Sequence, residues 1–134
     1  MAPAEHPIAS RWSIAVIIAL YNGERFIDET LRSVFAQSLS PDEIIVVDDG
    51  STDGGPQIVE KLAEKHPITL IKGEHRGQSA ARNFGIDSTT SDLIALLDHD
   101  DTWYPRHLEK LRRPFLDTHR DRHLGWVYSD VDEM

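Results

Sequence analysis

The stretch at residues 93–101, LIALLDHDD, decides the fold of this chain. Its apolar run leads directly into polar residues, which is typical of a strand buried within a parallel sheet. Ligands of open α/β sheets bind just beyond the carboxyl ends of such strands. The acidic cluster of Asp98, Asp100 and Asp101 is repulsive unless a cation offsets its charge. Because oxygen ligands suit Mg²⁺ or Mn²⁺, the stretch also predicts a divalent metal and a phosphate-bearing ligand.

Similar apolar runs recur along the chain, and helical patterns separate them. We predict strands at 14–20, 43–47, 69–72, 93–97 and 125–129. We predict helices at 24–37, after Asp53, at 78–86 and from near Pro105, with Pro114 kinking or ending the last one. This alternation indicates βαβ units, and therefore an α/β fold with a Rossmann-like, mainly parallel sheet and flanking helices. Because no closing helix follows the last run, we expect a truncated domain.

Length and composition limit the class of protein. A chain of 134 residues with 40% hydrophobic content fits one globular domain, at 13–134, after a tail at 1–12. The net charge of 14 − 23 = −9 argues against nucleic acid or an anionic membrane as the main partner. The lack of cysteine excludes disulfides and thiolate metal sites, and the tail lacks the apolar core of a signal peptide. We expect a cytoplasmic protein, or one at the cytoplasmic face of a membrane if the native chain is longer.

Polar clusters follow three of the predicted strands, at 19–24, 48–53 and 98–101. The carboxyl ends of parallel strands share one edge of a sheet, so the three clusters should converge there. Turn formation and helix capping would also explain Asp48 and Asp49, and a solvated acidic loop would explain the acidic cluster. Two adjacent acids exceed what a cap needs, which leaves one of them free to bind a ligand.

The segment at 77–83, GQSAARN, opens the third predicted helix. Its glycine permits close approach of the backbone, and a helix N-terminus favours anions. Arg82 is a candidate partner for a phosphate or carboxylate, with a surface ion pair as the alternative. Ala80, Ala81 and Gly85 are small, which indicates that this helix packs closely against its neighbours.

His99 lies within the acidic stretch, but alternation along a strand turns its side chain away from Asp98 and Asp100. We therefore interpret His99 as a residue without a role in metal binding. Trp103 follows the cluster, and core packing is a better explanation for it than a wall of the site. The remaining histidines are spaced too irregularly to indicate a zinc site.

These motifs together resemble the inverting nucleotide-sugar glycosyltransferases of family two, which have the A-type, nucleotide-diphospho-sugar transferase fold. The matching segments are 16–22 with Glu24, 43–53, 77–86 and 96–101. Ser33-Val34 with Gln37 and the segment at 128–130 also look similar to the family. The resemblance covers nearly the whole chain from Ser13, and the order and spacing of the motifs make it specific.

The resemblance implies a binding site for a nucleotide-sugar donor. Tyr21, Glu24 and one of Asp48 or Asp49 would hold the base and ribose, most often of a uridine nucleotide. Arg82 would lie near the nucleotide or its phosphates.

The resemblance also implies a metal. Asp98 would approach the ribose and the metal, and Asp100 would coordinate the Mn²⁺ or Mg²⁺ ion that bridges the diphosphate. Ala19, which stands where the family usually has proline, and His99 complete the donor-binding residues that we predict.

The catalytic base of the family lies well downstream of the metal motif. It would deprotonate the acceptor hydroxyl while the metal stabilises the departing diphosphate. We therefore expect the base beyond Met134 and assign no catalytic residue to this chain. The acceptor would be a sugar, a lipid-linked molecule or a protein, and an exposed sheet edge could support self-association.

Two other functions share parts of this pattern. In one class of phosphatases, an aspartate nucleophile follows an apolar strand, as Asp98 does, and Asp100 would be the general acid. In receiver-type signalling domains, an acidic pair like Asp48-Asp49 accompanies a phosphoacceptor aspartate. Both need a lysine late in the chain, and none follows Lys110. A phosphodonor such as acetyl phosphate would label either alternative and leave a transferase unmodified.

Overall fold

Four strands alternate with four helices in the computed structural model, which describes residues 12–116 and 125–127. The strands form one sheet in the order β3-β2-β1-β4, and every neighbouring pair is parallel. The predicted α/β fold with a parallel sheet and flanking helices is therefore confirmed. The elements are β1 (Ile14–Leu20), α1 (Ile27–Phe35), β2 (Glu43–Asp48), α2 (Gly55–Ala63), β3 (Ile68–Lys72), α3 (Gln78–Asp87), β4 (Leu93–Asp98) and α4 (His107–Leu116).

β1 lies at the centre of the sheet, and all seven of its residues are buried. A strand covered on both faces needs apolar side chains at every position, which explains its unbroken run IAVIIAL. On one face, alternate β1 residues meet the apolar sides of α1, α2 and α4. This larger core contains Ile14, Val16, Ile18 and Leu20 of β1, with Ile27, Leu31, Val34, Val59 and Leu108 of the helices.

On the other face, α3 packs closely against β1 and β2, as its small residues predict. Ala81 of α3 is buried among Ile17 and Val47. A Cβ atom added to Gly85 would lie 2.7 Å from Cγ2 of Ile17, well inside van der Waals contact. Glycine at this position therefore sets the distance between α3 and the sheet.

The boundaries of two helices differ from the prediction. α1 begins at Ile27 rather than near Glu24, because Phe26 and Ile27 both donate their backbone N–H groups to the carbonyl of Gly23 in a preceding turn. α4 begins at His107 and reaches Leu116, two residues beyond Pro114. No helix in the described part of the chain is long and apolar enough to cross a membrane.

The predicted fifth strand is wrong for residues 125–127, which have no regular structure and pair with no strand; residues 128 and 129 lie outside the described residues. β4 is therefore an edge strand among the described residues. Ile94 and Leu96 face the α3 side, opposite Ala15 and Ile17, but α3 does not cover them. Leu96 is 51% exposed, so this edge presents apolar surface.

Candidate functional site

The carboxyl ends of β1, β2 and β4 converge at one edge of the sheet, as the strand pattern predicts. Leu20 lies opposite Asp48, and Ala19 lies opposite Asp98. A pocket of about 420 Å³ opens at this edge, a volume suited to a small-molecule ligand. The residues that line this edge pocket are Ala19, Leu20, Tyr21, Asp49, His75, Gly77, Gln78 and His99.

A larger groove of about 590 Å³ lies elsewhere, between β4, α4 and residues 125–127. Its walls are mainly apolar, from Leu93, Leu111 and Phe115 among others, and it contains none of the acidic cluster. The edge pocket is smaller but contains the polar residues at the strand ends. We therefore assign the candidate site to the edge pocket.

The turn after β1 holds Tyr21 at the mouth of the edge pocket. Asn22 has a left-handed backbone, with φ of 50°, and its side-chain oxygen accepts the backbone N–H of Thr52 at 2.8 Å. The backbone N–H of Asn22 in turn donates to Oγ of Ser51 at 3.0 Å. These bonds join the loops after β1 and β2, and Tyr21 is 44% exposed at the site.

Asp48 and Asp49 are both buried but have different partners. Oδ1 of Asp48 accepts the backbone N–H of Ser51 at 3.1 Å, so this carboxylate does form a turn. Asp49 accepts the backbone N–H groups of Arg76 and Gly77, at 3.0 Å on Oδ1 and 2.9 Å on Oδ2. Of the pair, only Asp49 lines the edge pocket, where it also fixes the loop between β3 and α3.

His75 is a site residue that the sequence analysis missed. It lies in the β3–α3 loop, residues 73–77, with its ring on the edge pocket and 5.2 Å from that of Tyr21 between centroids. The strand-end argument considers only β1, β2 and β4, whereas this loop follows the outer strand β3. The sequence could have indicated this role, because His75 lies two residues before Gly77, a glycine that was expected to approach a ligand.

The acidic cluster gathers at the end of β4. One carboxylate oxygen from each of Asp98, Asp100 and Asp101 lies within 4.8 Å of the other two. Burial raises the pKa of Asp101 above its usual range, and the negative charges of Asp100 and Asp98 raise it further. The donor set consists of oxygen atoms only, so it fits Mg²⁺ or Mn²⁺, and it includes Asp101 beside the predicted metal ligands Asp98 and Asp100.

Arg82 and Gln78 bring positive charge and a hydrogen bond from α3 to this cluster. The guanidinium of Arg82 forms an ion pair with Oδ1 of Asp98, and the side-chain amide of Gln78 donates to the same oxygen at 3.1 Å. The Arg82 side chain is 28% exposed and that of Asp98 is 41% exposed. The ion pair considered as the alternative for Arg82 therefore exists, and its partner is a predicted metal ligand.

His99 turns away from the acidic cluster, as strand alternation predicts. Its Nδ1 lies 3.2 Å from the carbonyl oxygen of Ala19, and its ring lies against Gly23. Both His99 and Ala19 line the edge pocket. Within the described residues, His99 is not part of the carboxylate group that could hold a metal.

Glu24 and Trp103 lie outside the edge pocket. The carboxylate of Glu24 is beside Gly54, and its backbone N–H donates to Asp53 at 3.0 Å. Trp103 packs against the larger core and stacks on His107, with 4.7 Å between ring centroids, which confirms core packing. Glu24 is therefore a predicted donor-binding residue that lies beside the loop after β2 and not on the edge pocket.

The geometry suits a ligand with a flat polar ring and an anionic group. An aromatic wall and a buried carboxylate line the edge pocket, and a group of oxygen ligands suited to a divalent cation lies beside it. Arg82 adds a positive charge beside Asp98. A nucleoside linked to phosphates has this combination of groups.

Comparisons with known proteins agree with this geometry. The family model described as Glycosyl transferase family 2 matches residues 15–133. The uncharacterized glycosyltransferase alr2836 of a Nostoc species is 39% identical over 104 residues, covering 76% of this chain and 32% of that protein. S. aureus TarS 1-349 in complex with UDP-GlcNAc matches with a TM-score of 0.71 and 32% identity, over 80% of this chain and 32% of that chain.

A mannosyltransferase from Pyrobaculum calidifontis, PcManGT, was solved with GDP-Man and Mn²⁺. It matches with a TM-score of 0.68 and 29% identity, over 81% of this chain and 37% of that chain. This chain thus spans about a third of the length of these relatives. Sequence and fold agree with the family resemblance and not with the phosphatase or receiver alternatives. The chain belongs to Glycosyl transferase family 2.

Proposed function

We propose that this chain is the donor-binding portion of an inverting glycosyltransferase and binds a nucleotide sugar, of the uridine type, at the edge pocket. The observation that carries this proposal is the position of that pocket directly beside the acidic cluster. A base and ribose would occupy the pocket, against Tyr21 and Asp49, and the diphosphate would lie over the end of β4. Solved relatives hold UDP-GlcNAc or GDP-Man, which supports a nucleotide-sugar donor.

Asp98 and Asp100, with Asp101, would hold a Mn²⁺ or Mg²⁺ ion. When bound, this ion would supply Lewis-acid stabilisation of the negative charge on the departing diphosphate. Arg82 would neutralise part of the same charge from α3, since its guanidinium already reaches Asp98. Gln78 would keep Asp98 oriented through its amide.

The transfer step also needs a base and an acceptor. A base would remove the proton from the acceptor hydroxyl as that oxygen attacks the sugar carbon, and the nucleoside diphosphate would leave from the opposite face with inversion. None of the described residues is placed in this role. We propose that the base and the acceptor-binding wall belong to a longer protein, because the chain spans about a third of its relatives.

A calorimetric titration of UDP in the presence of Mn²⁺ tests the proposal. Asp100→Asn should weaken metal-supported binding by at least about tenfold, or about 1.4 kcal/mol. Asp87→Asn is the matched control, because Asp87 is an exposed carboxylate at the end of α3, away from the site. If the two variants bind UDP equally well, Asp100 does not hold the metal.

A further inference from the structure

We propose that His75 is a specificity-determining residue for the nucleoside, and that its Nε2 atom accepts a hydrogen bond from the base or the ribose. This inference rests on the proposed function, since it assumes that a nucleotide occupies the edge pocket. It concerns a residue outside the acidic cluster and outside the three strand ends that led to the site.

The β3–α3 loop, residues 73–77, is fixed to the end of β2 by backbone hydrogen bonds. The N–H of Gly73 donates to the carbonyl of Asp48 at 2.7 Å. The N–H groups of Arg76 and Gly77 donate to the carboxylate of Asp49 at 3.0 and 2.9 Å. Bonds to an ionised acceptor are stronger than neutral ones, so this loop holds His75 in a defined position.

The tautomer of His75 follows from its contact with Asp49. Its Nδ1 lies 2.8 Å from the carbonyl oxygen of Asp49. A carbonyl oxygen can only accept, so Nδ1 carries the hydrogen, and Nε2 of the neutral ring keeps a lone pair. Nε2 is therefore an acceptor on a ring that lines the edge pocket.

The backbone at His75 has an uncommon conformation. His75 has φ of 55°, in the left-handed region that few residues other than glycine adopt. The ring also needs Gly50, because a Cβ atom there would lie 2.9 Å from Nδ1 of His75. Strained residues held by surrounding contacts cluster at functional sites, which is consistent with a role in binding.

The rings of His75 and Tyr21 form one wall of the edge pocket. Their centroids are 5.2 Å apart at an interplanar angle of 38°, within the range of aromatic pairs in direct contact. A base cannot enter between them and would instead lie on this wall. The donor groups that it could bring near Nε2 are the imide N–H of a uracil-type base and the hydroxyls of the ribose.

Binding of nucleotide analogues in the presence of Mn²⁺ tests the proposal. The probes are UDP, N3-methyl-UDP, 2′-deoxy-UDP and inorganic pyrophosphate. His75→Asn is the main variant, because asparagine tolerates a left-handed backbone and can still donate to the carbonyl of Asp49. His75→Phe retains the aromatic wall without either nitrogen. Lys65→Ala is the control, since Lys65 is exposed just after α2, at the amino edge of the sheet and away from the site.

Both His75 variants should bind UDP about five- to tenfold more weakly than the wild type, with pyrophosphate binding and the Lys65→Ala variant unchanged. If Nε2 accepts from the base, N3-methyl-UDP should bind the wild type more weakly than UDP by a similar factor, and neither His75 substitution should weaken it further. If Nε2 accepts from the ribose, 2′-deoxy-UDP should behave in this way instead. Unchanged UDP binding by both variants, or an equal loss for pyrophosphate, would overturn the role of His75. A wild-type chain that binds pyrophosphate but no nucleotide would instead overturn the proposed function.

Discussion

Gly85→Ala should destabilise the fold although alanine is the better helix former. Alanine favours a helix interior over glycine by about 1 kcal/mol. Its Cβ would, however, lie 2.7 Å from Cγ2 of Ile17 and 3.2 Å from Cγ2 of Val47, and both residues are fully buried in the sheet. Overpacking of this kind costs about 1–3 kcal/mol, so the expected net loss is about 1 kcal/mol of unfolding free energy.

Urea unfolding of the wild type and two variants measures this effect. Asn83→Ala is the matched control, because Asn83 is an exposed residue of the same helix and alanine there should stabilise by about 0.5 kcal/mol. Displacement of α3 would also move Arg82 relative to Asp98, so Gly85→Ala should weaken UDP binding as well. A Gly85→Ala variant as stable as Asn83→Ala would refute the close packing of α3 on β1.

Three further predictions concern the acid stability, the exposed edge and the activity of the chain. Hydrogen bonds from the hydroxyl of Thr89, and secondly from that of Ser91, lower the pKa of Glu43 in the folded state. The stability that these bonds contribute is present above pH ~4.3, the ordinary pKa of glutamate, and is lost as pH falls through the lower folded-state pKa. Because the Glu43 carboxylate is only partly buried, solvent screens its charge, so Glu43→Gln should be less stable than the wild type by only about 0.5 kcal/mol in urea unfolding at pH 7, and equally stable at acid pH below both values. Leu96→Lys should reduce self-association in sedimentation velocity, since Leu96 is half exposed on edge strand β4; a monomeric wild type would contradict this. The isolated chain should bind UDP but transfer no sugar in an assay across a panel of acceptors, because general-base catalysis alone contributes about 10² to 10⁴ in rate; robust transfer would place a base within this chain.

The strands were predictable because burial imposes a pattern on them. β1 must be apolar at every position, so its predicted bounds, 14–20, agree with the structure. The other three strands differ from the prediction by one residue at one end. Once parallel strands were expected, the convergence of their carboxyl ends followed from the fold, and the register of Ala19 with Asp98 agrees with it.

The parts that were not predictable depend on contacts between segments distant in sequence. His75 acquires its position from Asp49, which is 26 residues away, and no local pattern encodes that bond. The start of α1 depends on a turn at Gly23 that amphipathic spacing does not reveal. The segment at 125–127 has an apolar pattern compatible with a strand, but a strand needs a hydrogen-bonded neighbour, and periodicity does not supply one.

Paramagnetic broadening by Mn²⁺ in amide NMR spectra of the ¹⁵N-labelled chain tests the central claim most directly. In the presence of UDP, substoichiometric Mn²⁺ should broaden the signals of residues 98–101 most strongly, and those of Gly77 and Gln78 next. Signals at the amino ends of the strands, such as those of Ile14 and Glu43, should remain sharp because they lie at the opposite edge of the sheet. Uniform broadening, or broadening centred away from the acidic cluster, would contradict a metal-dependent nucleotide site at the carboxyl edge.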